Sequence, residues 1–221
     1  MLCVLNMMGI SLSPRQVFFK EESREVSENA VTKENADAPK VALTFDDGPH
    51  AKYTGELLDG LKERNVKASF FLIGQYAKEE PELVERIKRE GHLIGNHTYH
   101  HVNLTRLSRE EAKKELTETD RIISNITGEH VAYMRPPFGE WHEDLEVEME
   151  VLPVMWTVDP LDWTTENVDE IVNKVVTDID ENDIILLHDC YGSSVKAALR
   201  IVDTLKGEGF EFVTADEILL N

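Results

Sequence analysis

The chain's 221 residues, 41% apolar and 30% charged, suit one globular domain with a substantial core. Its 43 acidic against 23 basic residues leave a net charge of −20, which argues against binding to nucleic acid or anionic lipid, where a basic surface supplies the affinity. The same charge disfavours a strongly anionic polymer as ligand unless the cleft is locally basic, and it fits a solubilising surface.

Residues Met1 to Leu12 are apolar but too short to span a bilayer, and no basic residue precedes Arg15. They read either as a clipped secretory segment or as an ordinary chain start. The stretch from Lys20 to Pro39 is polar, acidic and without periodicity, which suits a linker. Cys3 lies in the N-terminal segment and Cys190 far from it, so both read as free thiols, and no zinc-finger spacing exists.

From Lys40 onward, short apolar runs alternate with amphipathic stretches. The runs predict strands over Val41–Phe45, Ala68–Leu72, His92–Gly95, Ala132–Arg135, Pro153–Val158, Ile184–His188 and Phe210–Val213. Helices are predicted over Glu56–Arg64, with Leu57, Leu58 and Leu61 on one side, and over Glu82–Glu90, opened by Pro81. Ser108 and Glu111 form a capping box ahead of a long helix carrying Leu116, Ile122, Ile123 and Ile126. Asn167 precedes Val168, Ile171, Val172, Val175 and Ile179 at helical spacing; Ser194–Lys206 follows, and Thr214 can cap a short last helix.

This alternation implies a parallel sheet with right-handed crossovers, in one domain and with no internal repeat. Periodicity does not separate an open doubly wound sheet from a closed barrel. The chemistry-bearing motifs fall at C-terminal strand ends, where the loops of a barrel converge on one mouth.

Two of those motifs read as metal chemistry. Asp46-Asp47-Gly48-Pro49 ends an apolar run, and His97, His100 and His101 cluster downstream. One Asp and two His make a three-ligand set for a divalent ion with open positions left for water and substrate, and the second Asp is free to act as a base. On spacing, His97 and His101 project from one face of a helical turn, and His100 could coordinate instead. Adjacent Asp46 and Asp47 would point to opposite sides of an extended strand.

Three further fragments follow in order: Arg135-Pro136-Pro137-Phe138-Gly139, Asp159-Pro160-Leu161-Asp162-Trp163, and Leu186-Leu187-His188-Asp189. Together the five resemble the motifs of polysaccharide deacetylases, carbohydrate esterase family 4, the NodB-type homology domain. The resemblance covers roughly Lys40 to Asn221. It implies an α/β fold, an irregular (β/α)7 barrel related to the TIM barrel, with residues 1–39 as an N-terminal segment and linker and 40–221 as the catalytic domain.

The resemblance also implies roles. Asp47, His97 and His101 would be the metal ligands, leaving His100 to solvent or to a supporting position. Zinc is the first choice, with cobalt, nickel or manganese as alternatives. Asp46 would be the general base, paired with Arg135, and His188 the general acid, oriented and charged by Asp162. Phe138 stands where the family commonly has Tyr. Its backbone N–H would hold the oxyanion, while a hydroxyl contact to the sugar would be lost. Trp163 and Leu186 would wall the pocket for the acetyl methyl group. Tyr99, Trp141 and Trp156 are candidates for stacking on sugar, with core packing the better reading of Trp156.

The implied activity is metal-dependent removal of N-acetyl groups from an amino-sugar polymer, first peptidoglycan N-acetylglucosamine and next chitin oligomers, by a monomer acting outside the cytoplasm. The alternatives are an acetylxylan esterase and a catalytically silent glycan-binding protein on the same scaffold. The silent protein should have lost the base, a ligand or the acid, and all are present here.

Overall fold

A computed structural model describes residues 38–142 and 150–220. The N-terminal apolar segment, Cys3 and the linker up to residue 37 lie outside the described residues. The strands are β1 (Lys40–Asp46), β2 (Ser69–Leu72), β3 (Leu93–Asn96), β4 (Tyr133–Met134), β5 (Leu152–Pro153), β6 (Ile184–His188) and β7 (Glu211–Val213). The helices are α1 (Tyr53–Glu63), α2 (Gly74–Glu79), α3 (Pro81–Arg89), α4 (Arg109–Thr127), α5 (Val168–Val176), α6 (Gly192–Gly207) and α7 (Ala215–Leu219). None is long and apolar enough to cross a membrane.

All strand pairs are parallel, in the order β5-β4-β3-β2-β1-β6. The first half of β1 pairs with β7 and its last half with β2. A single bridge between Val158 and Ile185 brings the segment after β5 onto β6 and closes the sheet into an irregular barrel. The closed form is thus the one adopted.

The period-2 alternation of β1 sorts its side chains into two layers. Val41, Leu43 and Phe45 join Phe70, Leu72 and the helix residues Leu57, Leu58, Leu61, Ile201 and Leu205 in the main core. Ala42 packs with Phe71 and Val154 inside the barrel, and Thr44 and Asp46 follow it on the same face. Each fully buried leucine of that core contributes about 1.5–3 kcal/mol. Sheet register then puts Asp46 beside His188, and Leu72 beside Asn96. The ends of β1, β3, β4 and β6 therefore deliver their next residues to one mouth.

Several predicted boundaries shift by a residue or two, and some elements depart further. Helix α1 begins a turn early, just after a loop in which His50 Nδ1 accepts the N–H groups of Lys52 and Tyr53 at 3.2 and 3.3 Å. The strand expected over Pro153–Val158 splits. Leu152–Pro153 pairs with β4 and Val158 bridges to β6, while the carbonyls of Val154 and Met155 turn to the Arg135 guanidinium at 2.9 and 3.3 Å. Helix α2 has no counterpart in the prediction; six residues starting at glycine show no periodic stripe. The capping box expected at Ser108 and the cap expected at Thr214 form, and Asn167 Oδ1 accepts the N–H groups of Asp169 and Glu170 to cap α5.

Candidate metal centre and active site

The chain leaves β1 through a left-handed residue. Asp47 has φ 71°, so its carboxylate turns back into the cleft that Asp46 already faces. The two carboxylates thus share one cavity; the opposite orientation expected of an extended strand does not apply, because β1 ends at Asp46. Gly48 follows because a Cβ there would run into the buried Asp189 carboxyl.

His97 and His101 are not on a helical turn, contrary to the spacing argument. They sit in the loop after β3, where Thr98 (φ 63°) and His101 (φ 54°) bend the backbone and bring the two rings to 4.9 Å. Asp47 Oδ1 lies 3.5 Å from His97 Nε2 and 3.3 Å from His101 Nε2. One ligand atom from each of the three falls within 4.8 Å of the others. His100 points away, exposed, with Nδ1 2.7 Å from Glu115 Oε1.

The chemistry of this donor set fits a cation. His97 Nδ1 lies 2.7 Å from the carbonyl oxygen of Arg135; the carbonyl can only accept, so Nδ1 carries a proton and Nε2 of the neutral ring presents a lone pair. That lone pair faces Asp47 Oδ1, itself buried with no hydrogen-bond partner. Burial lowers the pKa of His101, partly offset by Asp47, and so favours its neutral, ligating form. Burial raises the Asp47 carboxyl, but His97, His101 and His188 outweigh it and hold it below the usual range.

Arg135 is fully buried at the end of β4. Its Nη1 donates to Asp46 Oδ1 at 2.8 Å and to Thr44 Oγ1 at 2.7 Å, and its guanidinium carbon stands 4.2 Å from the Phe71 ring centre and 5.6 Å from that of Trp156. Asp46, 3% exposed, is therefore fixed against a rigid cation, with Oδ2 3.8 Å from His97 Nε2.

Across the sheet, His188 ends β6 and lines the same cleft. Its Nδ1 is 2.7 Å from Asp162 Oδ1, and its backbone N–H donates to Asp162 Oδ2 at 2.9 Å. Burial lowers the imidazole pKa, but Asp162, followed by Asp46 and Asp47, more than reverses this and pushes it up to about 9.

The cleft measures about 440 Å³. Phe138 lines it with φ 64° and an exposed ring set edge-on to His101 at 5.0 Å. Trp163, exposed, and Leu186, buried, are also in its wall. Trp156 belongs to both readings, packing in the barrel core and lining the cleft. Tyr99 and Trp141 pack against core clusters instead.

Sequence reasoning assigned no role to three residues here. Tyr191 lines this cleft and two flanking cavities, Leu161 lines it in a left-handed conformation, and Asp189 is buried beneath the Gly48 turn. Asp189 and Tyr191 follow His188 closely in the chain, which is the signal that could have drawn attention to them. Cys190 is a free, half-buried thiol whose pKa is raised by burial, so it is not a thiolate.

Residues 33–154 match the family model described as polysaccharide deacetylase. A peptidoglycan-N-acetylglucosamine deacetylase of Bacillus cereus is 41% identical over 182 residues, covering 79% of this chain and 66% of that protein. The peptidoglycan-N-acetylmuramic acid deacetylase PdaC of Bacillus subtilis is 38% identical over 178 residues, covering 80% of this chain and 38% of that protein. The solved structure of PdaC superposes with a TM-score of 0.80 at 37% identity, covering 82% of this chain and 90% of that one. A chitooligosaccharide deacetylase of Sinorhizobium fredii is 39% identical over 163 residues, with 72% of this chain and 76% of that protein covered. The chain thus spans less than two thirds of the length of the two peptidoglycan deacetylases.

Proposed function

The chain belongs to the polysaccharide deacetylase family, and from that premise we propose that it is a metal-dependent hydrolase of N-acetyl groups on an amino-sugar polymer. Residues 40–221 would be the catalytic domain. Peptidoglycan N-acetylglucosamine is the first substrate, in line with the B. cereus relative, and chitin oligomers come next, in line with the S. fredii one. Action on a wall polymer implies a site of work outside the cytoplasmic membrane. The observation that carries the reading is the convergence in one cleft of Asp47, His97 and His101 with the Arg135–Asp46 and Asp162–His188 pairs.

Asp47, His97 and His101 would hold one divalent ion, zinc first and cobalt, nickel or manganese as alternatives. When bound, such an ion supplies Lewis acidity toward a carbonyl and lowers the pKa of a coordinated water. Asp46, aimed by Arg135, takes the proton of the water that attacks the acetyl carbon. The Phe138 N–H, presented by its left-handed turn, donates to the oxyanion. His188, protonated through Asp162, gives a proton to the departing amine, so that acetate and a free amino sugar result. Trp163 and Leu186 enclose the methyl group. The rival, an acetylxylan esterase, would use the same groups on an easier leaving group.

The test is acetate release by metal-reconstituted protein from a panel of N-acetylated peptidoglycan fragments, chitin oligomers and acetylated xylan. Turnover of the first two supports the reading. Release from xylan alone, or from none, sinks it.

A further inference from the structure

Five non-glycine residues with left-handed backbone angles, Asp47, Thr98, His101, Phe138 and Leu161, lie in the loops that build this cleft. Four of them have a use already described. Asp47, His101 and Phe138 aim a carboxylate, an imidazole and a backbone N–H, and Thr98 turns the chain between the two imidazoles. Leu161 aims no group of its own at the chemistry.

Leucine is a poor choice for this conformation, because its Cβ crowds the following carbonyl oxygen, whereas glycine or asparagine adopts it readily. The backbone is nonetheless held there from several sides. The Leu161 N–H donates to Asp159 Oδ1 at 2.9 Å, and its carbonyl accepts from Thr164 N at 3.0 Å and Thr164 Oγ1 at 2.7 Å. Lys174 Nζ donates to the preceding Pro160 carbonyl at 3.2 Å. This turn launches the short 3-10 helix Asp162–Thr164 that presents Asp162 and Trp163. Asparagine would make the same turn without the crowding.

What leucine adds is an apolar side chain left 42% exposed in the cleft wall. A strained backbone and an uncovered apolar group at one residue share one explanation if substrate covers that group. We propose that Leu161 is a specificity-determining substrate contact, packing against the apolar C–H face of a pyranose ring of the glycan. The proposal rests on the deacetylase reading and adds to it a residue outside the acid, base and metal positions. The contact is made in the ground state and the transition state alike, so its loss falls on KM rather than on kcat.

The experiment compares metal-loaded wild type, Leu161→Asn and Leu161→Met on an N-acetylglucosamine pentamer, with melting curves for all three. Leu161→Asn should raise KM about five- to tenfold with kcat little changed, and should melt within about 3 °C of wild type because relief of strain offsets lost packing. Leu161→Met, which keeps an apolar side chain, should hold KM within about twofold of wild type. An unchanged KM in Leu161→Asn overturns the proposal, as does a fall in kcat together with a large drop in melting temperature, which would assign the side chain to the fold. A wild type that releases no acetate from the pentamer overturns the deacetylase reading, and this inference with it.

Discussion

Asp162 holds His188 from two directions, accepting from the backbone N–H with one oxygen and standing 2.7 Å from ring Nδ1 with the other. A single fully buried carboxylate thereby fixes both the end of β6 and the tilt of the imidazole. The remaining ring nitrogen is left for the cleft, charged and ready to donate.

That charge has a pH signature. The folded pKa of about 9 lies above the ordinary histidine value of 6.5, so the pair's contribution to stability is complete below about 6.5 and is lost as pH rises through about 9. In chelator-treated protein, a carbon–proton NMR titration should find one histidine changing charge near 9, and Asp162→Asn should move it down. If His188 titrates at its ordinary value in wild type, the pair is not ionic.

Its catalytic counterpart lies in the leaving group. An amine needs a proton to depart and an aryl oxide hardly does, so His188→Ala should lower N-acetyl hydrolysis by about 10²–10⁴ and aryl acetate hydrolysis far less. Asp162→Asn should act in the same direction more mildly. Equal losses on both substrates would mean that another group delivers the proton.

Arg135 links Asp46 to His97, donating to the carboxylate through its guanidinium and accepting from His97 Nδ1–H with its carbonyl oxygen. Replacing Asp46 by Asn should keep bound metal, measured by atomic absorption, while lowering turnover by about 10²–10⁴. Replacing Arg135 by Met is a different kind of lesion. It strands Asp46, 3% exposed, without its counter-charge, and should destabilise the fold by about 3–5 kcal/mol in denaturant titration. A stable Arg135→Met protein would show that the Arg135–Asp46 contact does not hold the fold together.

Metal stoichiometry separates the three clustered histidines. His97→Ala and His101→Ala should each empty the site, whereas His100→Ala should leave metal content nearly unchanged, because that ring is exposed on Glu115. Metal loss in His100→Ala with retention in His101→Ala would reverse the ligand choice.

These predictions also mark how far the sequence could be read. The alternation of β1 and the apolar run of β6 carry their own registration, so the strand positions and the carboxylate at β1's end are legible from pattern. The histidine pair is legible as a pair but not as a geometry. Spacing of four suggests a helical turn, and only the left-handed angles at Thr98 and His101 show how a loop does the same work. The broken strand after Leu152 is invisible for a related reason: its carbonyls are claimed by Arg135, which is distant in sequence. Leu161 and Tyr191 escape notice because exposure into a cleft is a property of the assembled barrel and leaves no local periodicity.

Asp189 provides the last test, and it concerns stability rather than turnover. The carboxyl is fully buried, accepts from Thr54 Oγ1, and has its other oxygen unpartnered. Burial pushes its pKa up to about 7, against the opposing hydrogen bond from Thr54, and the nearby Asp47 charge adds to the rise. Because the folded value exceeds the ordinary 3.8, the contribution to stability is present below about 3.8 and is lost as pH rises through about 7. Wild type should therefore lose melting temperature as pH rises from about 3.8 to about 7, and Asp189→Asn, which cannot ionise, should show a flatter profile over that range. Chelator-treated protein is the material to use, since metal binding brings proton linkage of its own. Parallel profiles for the two proteins would mean that Asp189 stays ionised across the range, held by charge that the Thr54 contact does not account for.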